Sequence, residues 1–168
     1  GFLFSKRNSF LICNSMKGKP IAKKATLNDL NILVELMNEF YSEANFVLDY
    51  EIARNSFSEI LSQPDLGSVF LLFYNSAPVG HVVLTTRFTM EYGSFIGYID
   101  DLFVRKEYRR LGIANCGLAA ILKECDKFQL KGLTVEVGES NEAAVRLYEK
   151  IGLTKIIDSR ILMSKKIE

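Results

Sequence analysis

Between Tyr98 and Ala114 the chain changes from a strand-like to a helix-like pattern across a basic, glycine-containing turn. The run Tyr98-Ile99-Asp100-Asp101-Leu102-Phe103-Val104 gives way to Arg105-Lys106-Glu107-Tyr108, then to Arg109-Arg110-Leu111-Gly112-Ile113-Ala114. A helix that begins there presents unpaired backbone N–H groups and the positive end of its dipole, and Gly112 and Ala114 leave room for a ligand to approach the main chain. The junction predicts an anion site, best suited to a pyrophosphate. It is not a Walker loop, because no Lys-Ser/Thr pair follows the glycine, and it lacks the first two glycines of a dinucleotide fingerprint.

The flanking periodicities supply the rest of a mixed α/β fold. Ile21 to Lys24 reads as a strand, after which Thr26 and Asp29 form a capping box for a helix carrying Leu30, Leu33, Val34, Met37 and Tyr41 on one face. Asp49 caps a second helix with Ile52, Phe57, Ile60 and Leu61 as its apolar positions, and the linker Ser42 to Leu48 is a candidate substrate rim. Val69 to Tyr74 and Val79 to Phe88, joined by the turn Asn75 to Pro78, predict an antiparallel hairpin, followed by a strand from Phe95 to Val104. Leu118, Ile121, Leu122, Cys125 and Phe128 form the stripe of the motif helix. Because that helix intervenes, the strand Leu133 to Val137 should run parallel to its predecessor by a right-handed crossover. A helix from Asn141 to Ile151 should close at Gly152, and Thr154 to Ile167 should add one or two strands.

The 168 residues, 48% of them hydrophobic, fit one domain, assigned to residues 18–168, with residues 1–17 as an N-terminal extension of no assigned function. A net charge of +1 gives no global field to draw nucleic acid or a membrane surface, and no apolar run approaches the ~20 residues of a span. Three cysteines without a Cys-x-x-Cys pair argue against a disulfide framework or a zinc site and fit a reducing cytoplasm. His81, the one histidine, lies in the alternating run Val79 to Leu84 and reads as a strand residue with a satisfied ring. Cys116 reads as a small core residue, not a covalent nucleophile.

Arg109-x-x-Gly112-x-Ala114 resembles the acyl-CoA motif Gln/Arg-x-x-Gly-x-Gly/Ala of the GNAT superfamily of N-acetyltransferases. Asn141-Glu142-Ala143-Ala144-Val145-Arg146-Leu147-Tyr148-Glu149-Lys150-Ile151-Gly152-Leu153 is similar to that family's Asn-x-x-Ala-x-x-Leu-Tyr-x-x-x-Gly-Phe segment, with Leu153 in place of Phe. The strand Tyr98 to Val104 and its basic turn look most like the spermidine/spermine (diamine) branch, which has acidic residues at the corresponding strand positions. The resemblance spans the CoA half well and the substrate half poorly. It implies the GNAT fold, a mostly antiparallel central sheet with one parallel pair splayed at the CoA site and four flanking helices.

The resemblance further implies that Leu102, Phe103 and Val104 offer backbone groups to the pantetheine arm. Arg109, Arg110, Leu111, Gly112, Ile113, Ala114 and Asn115 would hold the pyrophosphate, and Asn141 and Ala144 would contact the CoA arm. Tyr148 would protonate the departing thiolate, a role a phenol can fill by general acid catalysis. An attacking alkyl amine must first lose a proton, and Asp100 and Asp101 are acids inside an apolar strand, where alternation puts them on opposite faces. Asp100 is favoured as the base, on the face of Leu102 and Val104 if no bulge intervenes, with Asp101 second. Glu35, Glu39 and Glu43 recur near helical spacing and are either a cleft lining or a solvated face.

These readings point to an enzyme that transfers acetyl from acetyl-CoA directly to a primary amine of a small molecule, polyamine-like acceptors favoured. The alternatives are a protein N-terminal or lysine acetyltransferase and a non-catalytic CoA-binding module. Acetyl-CoA and the amine are the expected ligands, with no metal, no nucleic acid and no membrane. The family and the strand exchange that the C-terminal tail could offer point to a homodimer, and the cysteine usage to the cytoplasm.

Overall fold

The computed structural model describes residues 18–138, 140–156 and 161–167. Its five-stranded sheet follows chain order, β1 (Pro20–Lys24), β2 (Gly67–Tyr74), β3 (Ala77–Thr89), β4 (Ser94–Val104) and β5 (Leu133–Val135). The first four strands pair antiparallel and β5 runs parallel to β4. The helices are α1 (Leu30–Glu43), α2 (Tyr50–Ser62), α3 (Ile113–Lys127) and α4 (Glu142–Glu149). The expected architecture is present. The expected N-terminal extension, residues 1–17, lies outside the described residues.

Local chemistry sets the joints. Asn75 and Ser76 both take positive φ, as a two-residue hairpin turn requires, and this fixes the β2–β3 register. Thr26 and Asp29 make the reciprocal capping box, Asp49 accepts the Ile52 N–H, and Asn141 accepts the Ala144 N–H. At the end of α4 the Gly152 and Leu153 amides reach back to the Glu149 and Tyr148 carbonyls, with Gly152 at φ 93°, a Schellman closure. In the expected tail strands the described residues, Thr154–Ile156 and Ile161–Ile167, are in no strand, and residues 157–160 lie outside the description.

The sheet is covered on both faces, and each face has its own core. Under α1 and α2, Leu33, Leu36, Ala53 and Phe57 pack on Val69, Leu71, Val83 and Phe103. Under α3 and α4, Leu118, Ile121 and Tyr148 pack on Phe70, Leu72, Val82, Leu84, Ile99 and Val104. Glu124 is buried among these apolar groups, and Lys24 Nζ and Ser68 Oγ, each at 3.0 Å, satisfy its carboxylate and tie α3 to β1 and β2.

Candidate active site

The strand carrying the two aspartates departs from regular alternation. Ile99 pairs with Leu84 and Asp101 with Val83, so Asp100 is an extra residue in β4, a β-bulge. The expectation that Asp100 and Asp101 point to opposite faces is overturned, as is the placement of Asp100 on the face of Leu102 and Val104. Beyond the bulge Asp101 and Phe103 lie on the α1–α2 face, while Leu102 and Val104 pack with the α3–α4 core. The extra residue shifts the alternation by one, and both carboxylates border one cavity of about 470 Å³.

That cavity is walled by Met37 and Tyr41 of α1, Ile52, Ala53 and Phe57 of α2, and Val83 and Thr85 of β3. Val47 and Leu48 reach it from the α1–α2 linker. Burial raises the proton affinity of the Asp100 carboxyl, and the neighbouring Asp101 and Glu136 carboxylates add to it. Burial, then Asp101, then Asp100 push the Tyr41 phenol upward. An apolar pocket with two adjacent carboxylates at its wall favours a cation, and either carboxylate can take a proton from it. Tyr41 was legible only as one more residue of an apolar helix face.

On its other side β4 is open. It pairs with β5 only over Gly97, Tyr98 and Ile99, and no described strand continues the pairing beside Asp100 to Val104. The chain then passes a short 3-10 turn at Lys106–Tyr108 and enters α3 through two positive-φ residues, Arg110 at 64° and Gly112 at 80°. Gly112 has no side chain with which to cap the helix. The first rung of α3 is the Cys116 N–H to the Gly112 carbonyl, leaving the N–H groups of Ile113, Ala114 and Asn115 directed out of the helix start. Arg110, Leu111 and Asn115 are exposed around them.

The Arg109 side chain turns the other way. Its Nε donates to the Val104 carbonyl at 2.8 Å, its Nη2 meets Glu43 at 2.6 Å, and its guanidinium lies over the Phe103 ring. The main chain of the turn, not this side chain, is the element left to receive an anion. Arg105 likewise meets Glu35 and Glu39 of α1 at 2.8 and 2.6 Å. None of the three α1 glutamates lines the aspartates' cavity; they form the solvated face, one of the two readings, and their carboxylates are ion-paired there. They clamp the β4–α3 connection to α1.

Tyr148 is buried in the same cluster as Leu102, Val104, Ile113, Ala114 and Ala144, on the α3–α4 face, while Phe103 and the Arg109 side chain lie on the α1–α2 side. Burial pushes the Tyr148 phenol up to about 12, so it stays protonated at neutral pH. It does not share the aspartates' cavity. It borders a second one of about 700 Å³ between β5, α4 and Gly152 to Ile156, and β4 stands between the two. Asn141 uses its side-chain oxygen as the α4 cap, which leaves its amide NH2 able to donate. Cys116 and Cys125 are unpaired and half-buried. His81 is a strand residue as expected, yet its ring is not satisfied, since neither nitrogen has a partner among the described residues. No group of three or more potential metal ligands occurs among the described residues, and no helix there is long and apolar enough to cross a membrane.

Residues 30–153 match the model of the acetyltransferase (GNAT) family. Among solved structures, an integron cassette protein from the mobile metagenome of Cole Harbour Salt Marsh is 33% identical, with a TM-score of 0.78 over 88% of this chain and 90% of that one. An aminoglycoside acetyltransferase from an uncultured soil metagenomic sample is 18% identical, with a TM-score of 0.69 over 89% and 97% of the two chains. An aminoglycoside N-acetyltransferase in complex with CoA is 14% identical, with a TM-score of 0.74 over 89% and 95%.

Proposed function

The chain belongs to the GNAT family of acetyltransferases, and from that premise we propose that it transfers acetyl from acetyl-CoA directly to a primary amine of a small molecule, with diamines and polyamines as the favoured acceptors. The observation that carries the acceptor class is the Asp100 bulge, which brings two carboxylates to one predominantly apolar cavity. A cationic amine is attracted there. One carboxylate can then remove the proton that keeps its nitrogen from attacking.

The opposite edge of β4 suits the donor. The main chain of Leu102 and the Val104 N–H face this open edge and can receive the amide-bearing arm as an added strand, whereas Phe103 pairs with β3 and the Val104 carbonyl is held by Arg109. The outward N–H groups of Ile113, Ala114 and Asn115 can receive the pyrophosphate. Asn141 and Ala144 border the arm from α4. Protons balance with the residues present. The ammonium gives one proton to an aspartate and thence to solvent, and the nitrogen gives a second as the amide forms. Tyr148 supplies one to the departing thiolate, and the second amine proton restores it. In this reading the substrate pair meets where β4 and β5 part beyond Ile99, so that groups on the two faces of the sheet act on it together.

The test is a panel of amines incubated with acetyl-CoA, following thiol release and product mass. Diamines and polyamines should outcompete amino acids with neutral side chains. Preference for peptide N-termini or peptide lysines would replace the reading with a protein acetyltransferase, and CoA binding without any acceptor would replace it with a non-catalytic module.

A further inference from the structure

His81 is the only histidine in the sequence and is completely buried in the middle of β3. Alternation turns it toward α1 and α2, opposite Leu71 on β2 and Phe103 on β4. The rings of Phe40, Phe57 and Phe103 lie 6.5, 6.0 and 6.1 Å from its own. In that aromatic box neither ring nitrogen has a hydrogen-bond partner among the described residues, which is rare for a buried polar side chain. From α1, α2 and β2 the residues placed against it are Phe40, Phe57 and Leu71, none of them titratable. The charged group that faces it comes from β4, where Asp101 Oδ2 lies 3.8 Å from His81 Nε2, with Asp100 and the Tyr41 hydroxyl bordering the same cavity.

We propose that His81 is a positioning residue for deprotonation of the acceptor amine, its Nε2–H closing onto Asp101 Oδ2 when a cation occupies the cavity. The distance in the ligand-free protein exceeds a hydrogen bond, and such contacts commonly tighten only in the substrate complex. An imidazole N–H donated to one oxygen leaves the other facing the ammonium, and a hydrogen bond to the charged form of a carboxyl favours that form, so that the closed contact lets Asp101 bind the cation before it accepts the proton. Apolar walls around the imidazole mean that Asp101 is where its N–H can be used. This role rests on the acetyl-transfer reading above.

Because His81 is the sole histidine of these 168 residues, its ring signals in this chain need no assignment. Nitrogen-15 spectra of wild type and Asp101→Asn are recorded across pH with and without spermidine, alongside pH–rate profiles of His81→Phe and His81→Gln. The expected results are an Nε2–H tautomer whose shifts move on adding spermidine, and a titration midpoint displaced in Asp101→Asn. In His81→Phe the acid limb of kcat/KM should move up by about one pH unit, a tenfold change in proton affinity, and His81→Gln, whose amide can still donate, should restore it. Identical His81 signals in wild type and Asp101→Asn overturn the proposal even if His81→Phe fails to fold, and so does an unmoved acid limb in a folded His81→Phe. Failure of wild type to acetylate any amine brings down the acetyl-transfer reading and this role with it. Acetylation without His81–Asp101 coupling brings down this role alone.

Discussion

Gly112 separates backbone geometry from electrostatics at the turn before α3. Its φ of 80° is left-handed, and a Cβ built there would meet nothing closer than Pro20 Cγ at 4.0 Å. Substitution therefore strains the backbone without a clash. Gly112→Ala should lose about 1–2 kcal/mol, the cost of a left-handed L-residue, which for a chain of this size lowers Tm by roughly 2–8 °C. Gly112→Asn, which tolerates that conformation better, should lose less. Gly112→Glu carries the same strain and adds a negative charge where the outward N–H groups of Ile113, Ala114 and Asn115 would hold pyrophosphate. One charge at about 4 Å from another costs about 1–4 kcal/mol between water-like and protein-surface dielectrics, which corresponds to roughly fivefold to several-hundredfold in CoA affinity. Calorimetry with CoA on the folded variants reads the difference. Equal CoA affinity in Gly112→Glu and Gly112→Ala would refute the placement of the pyrophosphate at this turn.

Tyr148→Phe keeps the packing of a buried ring and removes the donor. Turnover should fall by ~10²–10⁴ while acetyl-CoA affinity stays near wild type, as steady-state kinetics and direct binding would read. For Asp100, whose proton affinity is raised in the folded state above the ordinary value of 3.8, the native state binds the proton more tightly than the unfolded chain. The stabilisation due to protonation is complete below the unfolded value and is lost as pH rises through the folded one, so the ionised carboxylate costs stability at neutral pH. Asp100→Asn should accordingly raise Tm by about 1–2 °C at pH 7 to 8, with the gain vanishing toward pH 4 in thermal scans, while acetylation slows.

The fold was legible where one residue type decides one joint. Asp49, Asn141 and Gly152 announce helix ends by the bonds that they make, and the motif helix between two apolar runs forces the parallel β4–β5 pair. The bulge was not legible, because nothing in Ile99-Asp100-Asp101-Leu102 distinguishes a regular strand from one with an extra residue. The difference lies in the β3 partner, where Val83 and Leu84 take Asp101 and Ile99 as neighbours. Long-range ion pairing escaped for the same reason. Glu39 and Arg105 are 66 positions apart, and only the packing of α1 across the sheet makes them partners. His81 carried a signal in being the lone histidine, yet its lack of partners follows from Phe40, Phe57 and Phe103, which come from three separate elements.

The unpaired flank of β4 has a bearing on handling the protein as well as on what it binds. A bare row of amides and carbonyls is a template that any extended peptide can copy, including a neighbouring copy of the same strand. Arg109, by donating to the Val104 carbonyl, blunts one rung of that template and puts a charge over its end. A ligand lying along Leu102 to Val104 would cover the rest. Solubility on storage should then track occupancy of this edge, with CoA acting as a protectant against self-association at concentrations set by its own affinity.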